Sequence, residues 1–423
     1  MKKLLLILLT VALTVTLAFS LTSCGGPTME FVLSEDGTYY VVDQIRFKKA
    51  NEEVIIPEEY KGLPVKAIGD GAFISEMNDS SISKLTIPAS VTIMEDYIGE
   101  FCRYSSDTSA FVTDVYYGGT EQQWFTMMDG GNCTYYNLYI NETLVTSPTI
   151  PADMDAIPAE YANGCQSLTE VILPSTVTSV GNAAFSDCFN LATITIPETV
   201  SSIGGGAFSS CYALTTLNYN AVNATLGNAD DRDRDDNGGV FMSMGTKSAG
   251  TMVYINKSVE VIPDYFLYAN SWSDSGTNVK KIVIDNDCNF KKIGAAPFAN
   301  TLSEKSEFTT EGGLIYIGSE DNPYMFCGGA KDVSISSATI NENCLYILNA
   351  SFINCNKLES ITVPESVIFI GHQAFYSTKV TFESESGWKI IGTDKAADLS
   401  KISIGYTADE YSCGITKMAS QKD

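Results

Sequence analysis

General acid–base work and nucleophile activation most often use histidine, and this 423-residue chain has one, His372. It follows Gly371 directly, a place that suits an exposed filler better than a catalyst. There is no G-x-S-x-G, no H-E-x-x-H and no phosphate-cradling glycine loop. A carboxylate pair for glycoside hydrolysis needs only two acids at the right separation, and a chain with 51 acidic residues holds many such pairs. No C-x-x-C is present to build a zinc site. No catalytic residue is assigned on this reading, and none is expected.

Two segments could bind rather than react. Asp230 to Val240 reads D-D-R-D-R-D-D-N-G-G-V, and from Asp233 it gives D-x-D-x-N-G-x-V. Asp233, Asp235 and Asn237 would place oxygen ligands at alternate positions with glycine at the sharp turn, as a calcium loop requires. Position twelve is Met244 instead of a bidentate glutamate, so a solvated acidic loop is the plainer reading and no metal or other cofactor is assigned. The second segment holds Tyr116, Tyr117 and Trp124. Thr120-Glu121-Gln122-Gln123 is a capping-box start to a short helix that carries Trp124. These rings either pack that helix down or stack on a sugar, and packing is the commoner use.

Residues 1–23 read as a signal segment, with Lys2 and Lys3 ahead of the apolar run Leu4 to Phe19. The run ends in Leu21-Thr22-Ser23-Cys24-Gly25, which resembles a bacterial lipobox. That resemblance implies cleavage before Cys24, acylation of its thiol and amine, and a membrane anchor at the head of a tether over 24–30. No other stretch approaches 18 continuous apolar residues.

The elements that would position any site come from a repeat. Leu168-Thr169-Glu170-Val171-Ile172-Leu173-Pro174 and Leu191-Ala192-Thr193-Ile194-Thr195-Ile196-Pro197 are offset by 23 residues. They continue alike through Val177, Val180, Gly181, Ala184, Phe185, Cys188 and Val200, Ile203, Gly204, Ala207, Phe208, Cys211. The unit returns as Leu358, Ile361, Val363, Pro364, Val367, Ile370, Gly371, Ala374 and Phe375. Weaker copies are set by Pro57, Pro88, Pro151, Asn256 and Asn341, giving about ten coils, above the three or so that stacking needs. L-x-x-I-x-I alternates with period two and makes a short strand. Proline ends it, V-x-x-I brings the chain back, glycine supplies a corner, and A-F-x-x-C closes a turn with phenylalanine inside.

Eleven cysteines on an exported chain invite disulfides, but their register argues for packing. Cys165, Cys188 and Cys211 are 23 apart, Cys102 and Cys355 share their slot, and Cys288 and Cys344 take the valine slot. A small apolar side chain packs inward there. Cys133, Cys327 and Cys413 fall outside the pattern, and their pairing is left open.

The unit L-x-x-I-x-I-P-x-x-V-x-x-I-G-x-x-A-F-x-x-C resembles the BspA-like, or Treponema pallidum-type, leucine-rich repeats. Ile56-Pro57 through Pro64-Val65, Gly313-Leu314-Ile315-Tyr316 and Tyr116 through Trp124 also resemble that family. The resemblance spans roughly 30–405. It implies a β-dominated leucine-rich-repeat solenoid of short parallel strands over 31–405, interrupted near 105–146, 221–250 and 299–335. A tail over 406–423 follows it, and Trp388-Lys389-Ile390 is expected to cap the last coil. It further implies a surface-exposed, adhesive interaction module without catalysis, whose ligands are extracellular proteins or glycans. An envelope scaffold or a glycan-capturing surface protein are the alternatives. The family has no fixed binding motif to carry over.

Composition is consistent with that. At 44% hydrophobic and 11% aromatic the chain can bury a large core. Its formal net charge of -25 repels phosphate backbones, which argues against nucleic acid as a partner. A monomer is expected.

Overall fold

The computed structural model describes residues 26–75, 81–95, 113–127, 135–227, 239–267, 277–294, 297–298, 306–353, 355–375, 378–391, 395–399 and 415–417. Cys24, Cys102, Cys133, Asp233, Asp235, Asn237 and Cys413 lie outside them. The chain divides into two units: one of residues 1–127, 131–134 and 139–142, and one holding the remainder.

In the first unit, strands Thr28–Leu33 and Tyr40–Phe47 form an antiparallel hairpin with a bulge at Glu30/Phe31. The first strand thus begins within the 24–30 stretch read from sequence as a tether. Asp36 holds the hairpin turn, accepting from Ser34 Oγ, Thr38 N–H and Thr38 Oγ. Two parallel ladders follow. Tyr40–Phe47, Leu63–Ile68 and Ile93–Met94 make one, and Glu52–Ile55, Ile82–Ile87 and Thr113–Tyr117 the other. Helix Glu121–Met127 opens with the capping box read from sequence. Gln123 N–H donates to Thr120 Oγ at 3.2 Å, and Thr120 N–H to Gln123 Oε1 at 2.8 Å.

The second unit shows the repeat most plainly. Strands Glu170–Ile172, Thr193–Ile196, Thr216–Tyr219, Thr251–Ile255 and Val279–Ile284 stack as one parallel sheet. The returning V-x-x-I segments form a second, with Ala156–Ile157, Ser179–Val180, Ser202–Ile203 and Thr225–Leu226 in register. Between them the apolar slots are filled by buried side chains. Phe185, Phe208 and Phe241 stack at 5.4 and 5.7 Å with interplanar angles of 2° and 7°, and Cys165, Cys188 and Cys211 are fully buried beside them. Each coil buries its face only against its neighbours, so every such stack is a nearest-neighbour interface.

Phe241 belongs to the stretch taken from sequence as an insertion. Phe208 N–H donates to Val240 C=O and Ser210 N–H to Met242 C=O, as Phe185 and Asp187 donate to Ala207 and Ser209 one coil earlier. Val240, Phe241 and Met244 thus take the alanine, phenylalanine and cysteine slots of a coil whose spacing the acidic run stretches. Met244, twelfth in the calcium-loop frame, is a core side chain.

Further on, hairpin Thr309–Glu311/Leu314–Ile317 turns at Gly312-Gly313 and pairs with Phe326–Ala330. Parallel stacking then resumes through Tyr346–Ile347 and Phe369–Ile370, with Ser337–Thr339, Ser360–Val363 and Lys379–Phe382 as the companion ladder. Trp388 is buried in this core. Ile415–Thr416, within the stretch read as a C-terminal tail, runs antiparallel to both Phe369–Ile370 and Lys389–Ile390, and it ends the parallel register at the last coil.

Candidate binding surface

Period two decides what the parallel sheet of the second unit shows to solvent. Along Thr193–Ile196 and Thr216–Tyr219 the burial alternates, with Ile194, Ile196, Leu217 and Tyr219 inside. The outward residues line up across strands by register. One row is Glu170, Thr193, Thr216, Met252 and Lys281, and the other is Ile172, Thr195, Asn218, Tyr254 and Val283. Stacked strands put successive members of a row ~4.8 Å apart. Asn218 Nδ2 donates to Thr195 Oγ at 3.1 Å, fixing the polar middle. Ile172 is 52% and Tyr254 36% exposed, large apolar groups left uncovered on an otherwise well-packed strand face. The row is apolar at Ile172, polar at the centre and aromatic at Tyr254. That is what an interaction surface needs: anchors that gain by desolvation and polar groups that fix register.

The row ends at a cleft of about 350 Å³ between Val279–Ile284 and the hairpin, lined by Lys281, Val283, Phe308, Ile317, Ser319 and Glu320 among others. Elsewhere on this unit, Phe189 and Tyr212 stack at 4.8 Å beside their cysteine slots, with Lys247 Nζ over the Tyr212 ring at 4.6 Å. Lys247 comes from the stretched coil, so spacing alone would not have paired it with these rings.

The aromatic candidates of the first unit divide. Trp124 and Tyr117 are buried, with ring centroids 5.6 Å apart, and Tyr117 O–H donates to Val91 C=O at 2.9 Å. They fasten the helix and present no face to a sugar. Tyr116 points to the opposite side of its strand, half-buried, stacked on Tyr139 at 4.4 Å with Lys84 Nζ over its ring at 4.5 Å. Alternation along Thr113–Tyr117 separates the two neighbours, and the sequence carried that signal.

The thiols are poor nucleophiles. Burial pushes Cys165 up to about 11, Cys327 up to about 12 and Cys188, Cys211 and Cys344 well above the ordinary thiol range. Cys327 was placed outside the repeat, yet it is a buried free thiol aligned with Ile347 and Ile370, so it fills an isoleucine slot. Cys288, expected inward, is only half-buried, with Sγ directed at Asn256 C=O at 3.3 Å. His372 is half-buried rather than exposed. Burial lowers its pKa, and its Nδ1 has no hydrogen-bond partner. No group of three or more metal-ligating side chains occurs among the described residues. Nor is any described helix long and apolar enough to cross a membrane.

The family model for the BspA type leucine rich repeat region matches residues 135–229 and 267–394, with six copies, more than half of the chain. The chain belongs to the BspA-type leucine-rich-repeat family. Its body is a β-dominated solenoid of that class. No curated protein matches the sequence. Among solved structures, it is similar to a leucine rich cell surface protein from Faecalibacterium prausnitzii A2-165, at 20% identity, covering 87% of this chain and 96% of that one, with a TM-score of 0.36. A leucine-rich repeat protein from Bacteroides ovatus ATCC 8483 matches at 15% identity over 84% and 98%, TM-score 0.33. The T. pallidum leucine rich repeat protein matches at 19% over 47% and 83%, TM-score 0.27. None of these likenesses decides what this BspA-type chain binds.

Proposed function

We propose that this is an exported, Cys24-acylated surface protein whose parallel sheet binds an extracellular protein or glycan, without catalysis. The observation that carries this is the aligned outward row from Ile172 to Val283, with Ile172 and Tyr254 left uncovered on the ladder. Extended faces rather than enclosed pockets are what stacked coils offer. Among the described residues, the fully buried thiols, raised in pKa by that burial, supply no activated nucleophile. Acyl chains on Cys24, each methylene worth about 0.8 kcal/mol, would hold the module at a membrane.

The test is binding of the protein to a panel of matrix proteins and mucin glycans, with product release followed in the same wells. Saturable binding without turnover is expected. Replacing an anchor at an interface centre costs about 2 kcal/mol, so Tyr254→Ala should weaken the strongest interaction ~30-fold while leaving the unfolding temperature in place. Turnover, or binding that ignores both Tyr254→Ala and Ile172→Ser, refutes the assignment.

A further inference from the structure

The outward face of the parallel sheet separates its charges. With Thr216–Tyr219 as the central strand, Glu170 stands two strands to one side and Lys281 two strands to the other, in one register row. Glu198 and Lys257 repeat this one coil out on either side. Each lies two residues past an isoleucine, Ile196 and Ile255, that is in register with Tyr219. Glu198, Lys257 and Lys281 are exposed and Glu170 is half-buried. Acid therefore lies on the first two coils of the face and base on the last two, with uncharged Thr216 and Asn218 between them.

Such a face is complementary to itself. A twofold axis along the central strand, midway between two facing copies, exchanges the two sides and keeps strand direction. Glu170 then faces Lys281 of the second copy and Glu198 faces Lys257, and the symmetry doubles these to four pairs. Facing sheets lie ~10 Å apart, a gap that an extended glutamate and an extended lysine span together. Ile172, 52% exposed, meets Val283, so an uncovered apolar side chain gains an apolar neighbour. On the axis Thr216 meets Thr216 and Asn218 meets Asn218. A hydroxyl or a carboxamide carries both donor and acceptor for its own kind. An axis across the strands would instead set Glu170 on Ile172 and form none of these pairs.

Five strands with four residues of each give a patch of about 20 by 13 Å, well under the ~800 Å² per partner of a stable complex. One contact is therefore weak, and it gains strength only where many copies meet many copies, as on two opposed surfaces.

We propose that this face binds a second copy of the same chain about that twofold axis, so that surfaces carrying the protein adhere to one another through it. The inference rests on the reading that the sheet face binds an extracellular protein, and it names that protein.

The test couples the full chain to beads through its N-terminal end and follows clumping by light scattering. Wild-type beads should clump. Two variants reverse the charges, Lys257→Glu with Lys281→Glu, and Glu170→Lys with Glu198→Lys. Each alone should need at least tenfold more protein on the bead to clump, a change of about 1.4 kcal/mol. A mixture of the two should clump as wild type does, because acid again meets base. Both variants keep a large net negative charge, so overall charge predicts no such attraction. Their unfolding temperatures should match wild type, since only exposed or half-buried side chains change. Wild-type beads that stay dispersed, reversed variants that clump unaided, or a mixture that does not recover would overturn the proposal. Dispersed beads beside a panel ligand that is lost on Tyr254→Ala sink the self-contact alone. Panel binding that ignores both Tyr254→Ala and Ile172→Ser sinks the wider reading, so the two failures are distinguishable.

Discussion

Two glycines two residues apart in one turn should respond unequally to alanine. Gly204 sits at the corner after Ile203, where its backbone is not in the left-handed region. A Cβ there would lie 2.5 Å from Asn182 N and 2.6 Å from Gly181 C, both backbone atoms of the preceding coil. Those atoms are tied down, because Gly204 N–H donates to Val180 C=O at 2.7 Å and Gly205 N–H to Asn182 Oδ1 at 2.9 Å. Overpacking costs about 1–3 kcal/mol, and rigid backbone places Gly204→Ala at the upper end. Removing a glycine's freedom from the unfolded chain returns about 0.4–1 kcal/mol. The net is about 2 kcal/mol, a fall in Tm of about 4–8 °C for a unit of this size. Gly206 has a φ of 63°, which would ordinarily argue for glycine, yet its nearest neighbour to a new Cβ is 3.5 Å away. One coil earlier Ala183 takes that slot at 51°, and Ala350 and Gln373 do so later. Gly206→Ala should therefore shift Tm by less than about 3 °C. Thermal unfolding by circular dichroism checks both, and equal shifts, or a larger one at Gly206, would refute the close-approach argument.

Other consequences follow from burial and charge. Trp124→Ala should destabilise the first unit by about 3–5 kcal/mol, and it should leave the binding attributed to the second unit unchanged. Asp187 is half-buried, and desolvation raises its pKa against hydrogen bonds from Ser210 and Ser186 that lower it. A raised carboxyl pKa means folding is favoured most when the group is protonated and less as pH rises through the folded value. Asp187→Asn should thus raise Tm at pH 7 and lose that advantage below the ordinary aspartate pKa; a gain that persists at acid pH would contradict this. In the native protein Cys165, Cys188, Cys211, Cys327 and Cys344 should resist iodoacetamide at pH 8 and react only after unfolding, which mass spectrometry of the labelled protein reads directly.

What the sequence made legible was the part fixed by period. The 23-residue spacing predicts parallel register, and Glu170↔Thr193↔Thr216 follows it residue by residue. The capping box at Thr120 was equally readable, because it is local. The losses came where spacing changes. The acidic run before Val240 lengthens one coil, so Phe241 and Met244 read as an insertion although they fill repeat slots. Cys327 read as outside the pattern, and strand pairing shows it aligned with Ile347. Tyr116 and Tyr117 went together as candidates because residue type was read without alternation. The cleft was invisible to sequence, since its lining joins Lys281 and Val283 to Phe308 and Ile317, which only the folded hairpin brings together.

The cysteine column shows why a repeat would keep one residue type without using its chemistry. Two of the thiols aim at the preceding coil: Cys188 Sγ is 3.2 Å from Ala162 C=O, and Cys211 Sγ 3.5 Å from Phe185 C=O, while Cys165 Sγ meets Ser167 Oγ at 3.4 Å. A thiol is small and apolar enough to be fully buried, and it still donates weakly to those carbonyls. Alanine would remove the sulfur and leave a small cavity. Valine would fill the volume but branch at Cβ, against backbone already in close register. Serine keeps the donor but is smaller and more polar than the space. The order of stability expected at Cys188 is therefore wild type above alanine and serine, with valine lowest if the neighbouring coil cannot shift. Oxidation supplies the sharper contrast, because the column is 23 residues per step and its thiols are directed at oxygen atoms rather than at the next sulfur. Aerobic incubation of the native protein should leave the thiol titre of Cys165, Cys188 and Cys211 unchanged. Recovery of a Cys188–Cys211 disulfide would show that the column is a redox element and that packing is the wrong account of it.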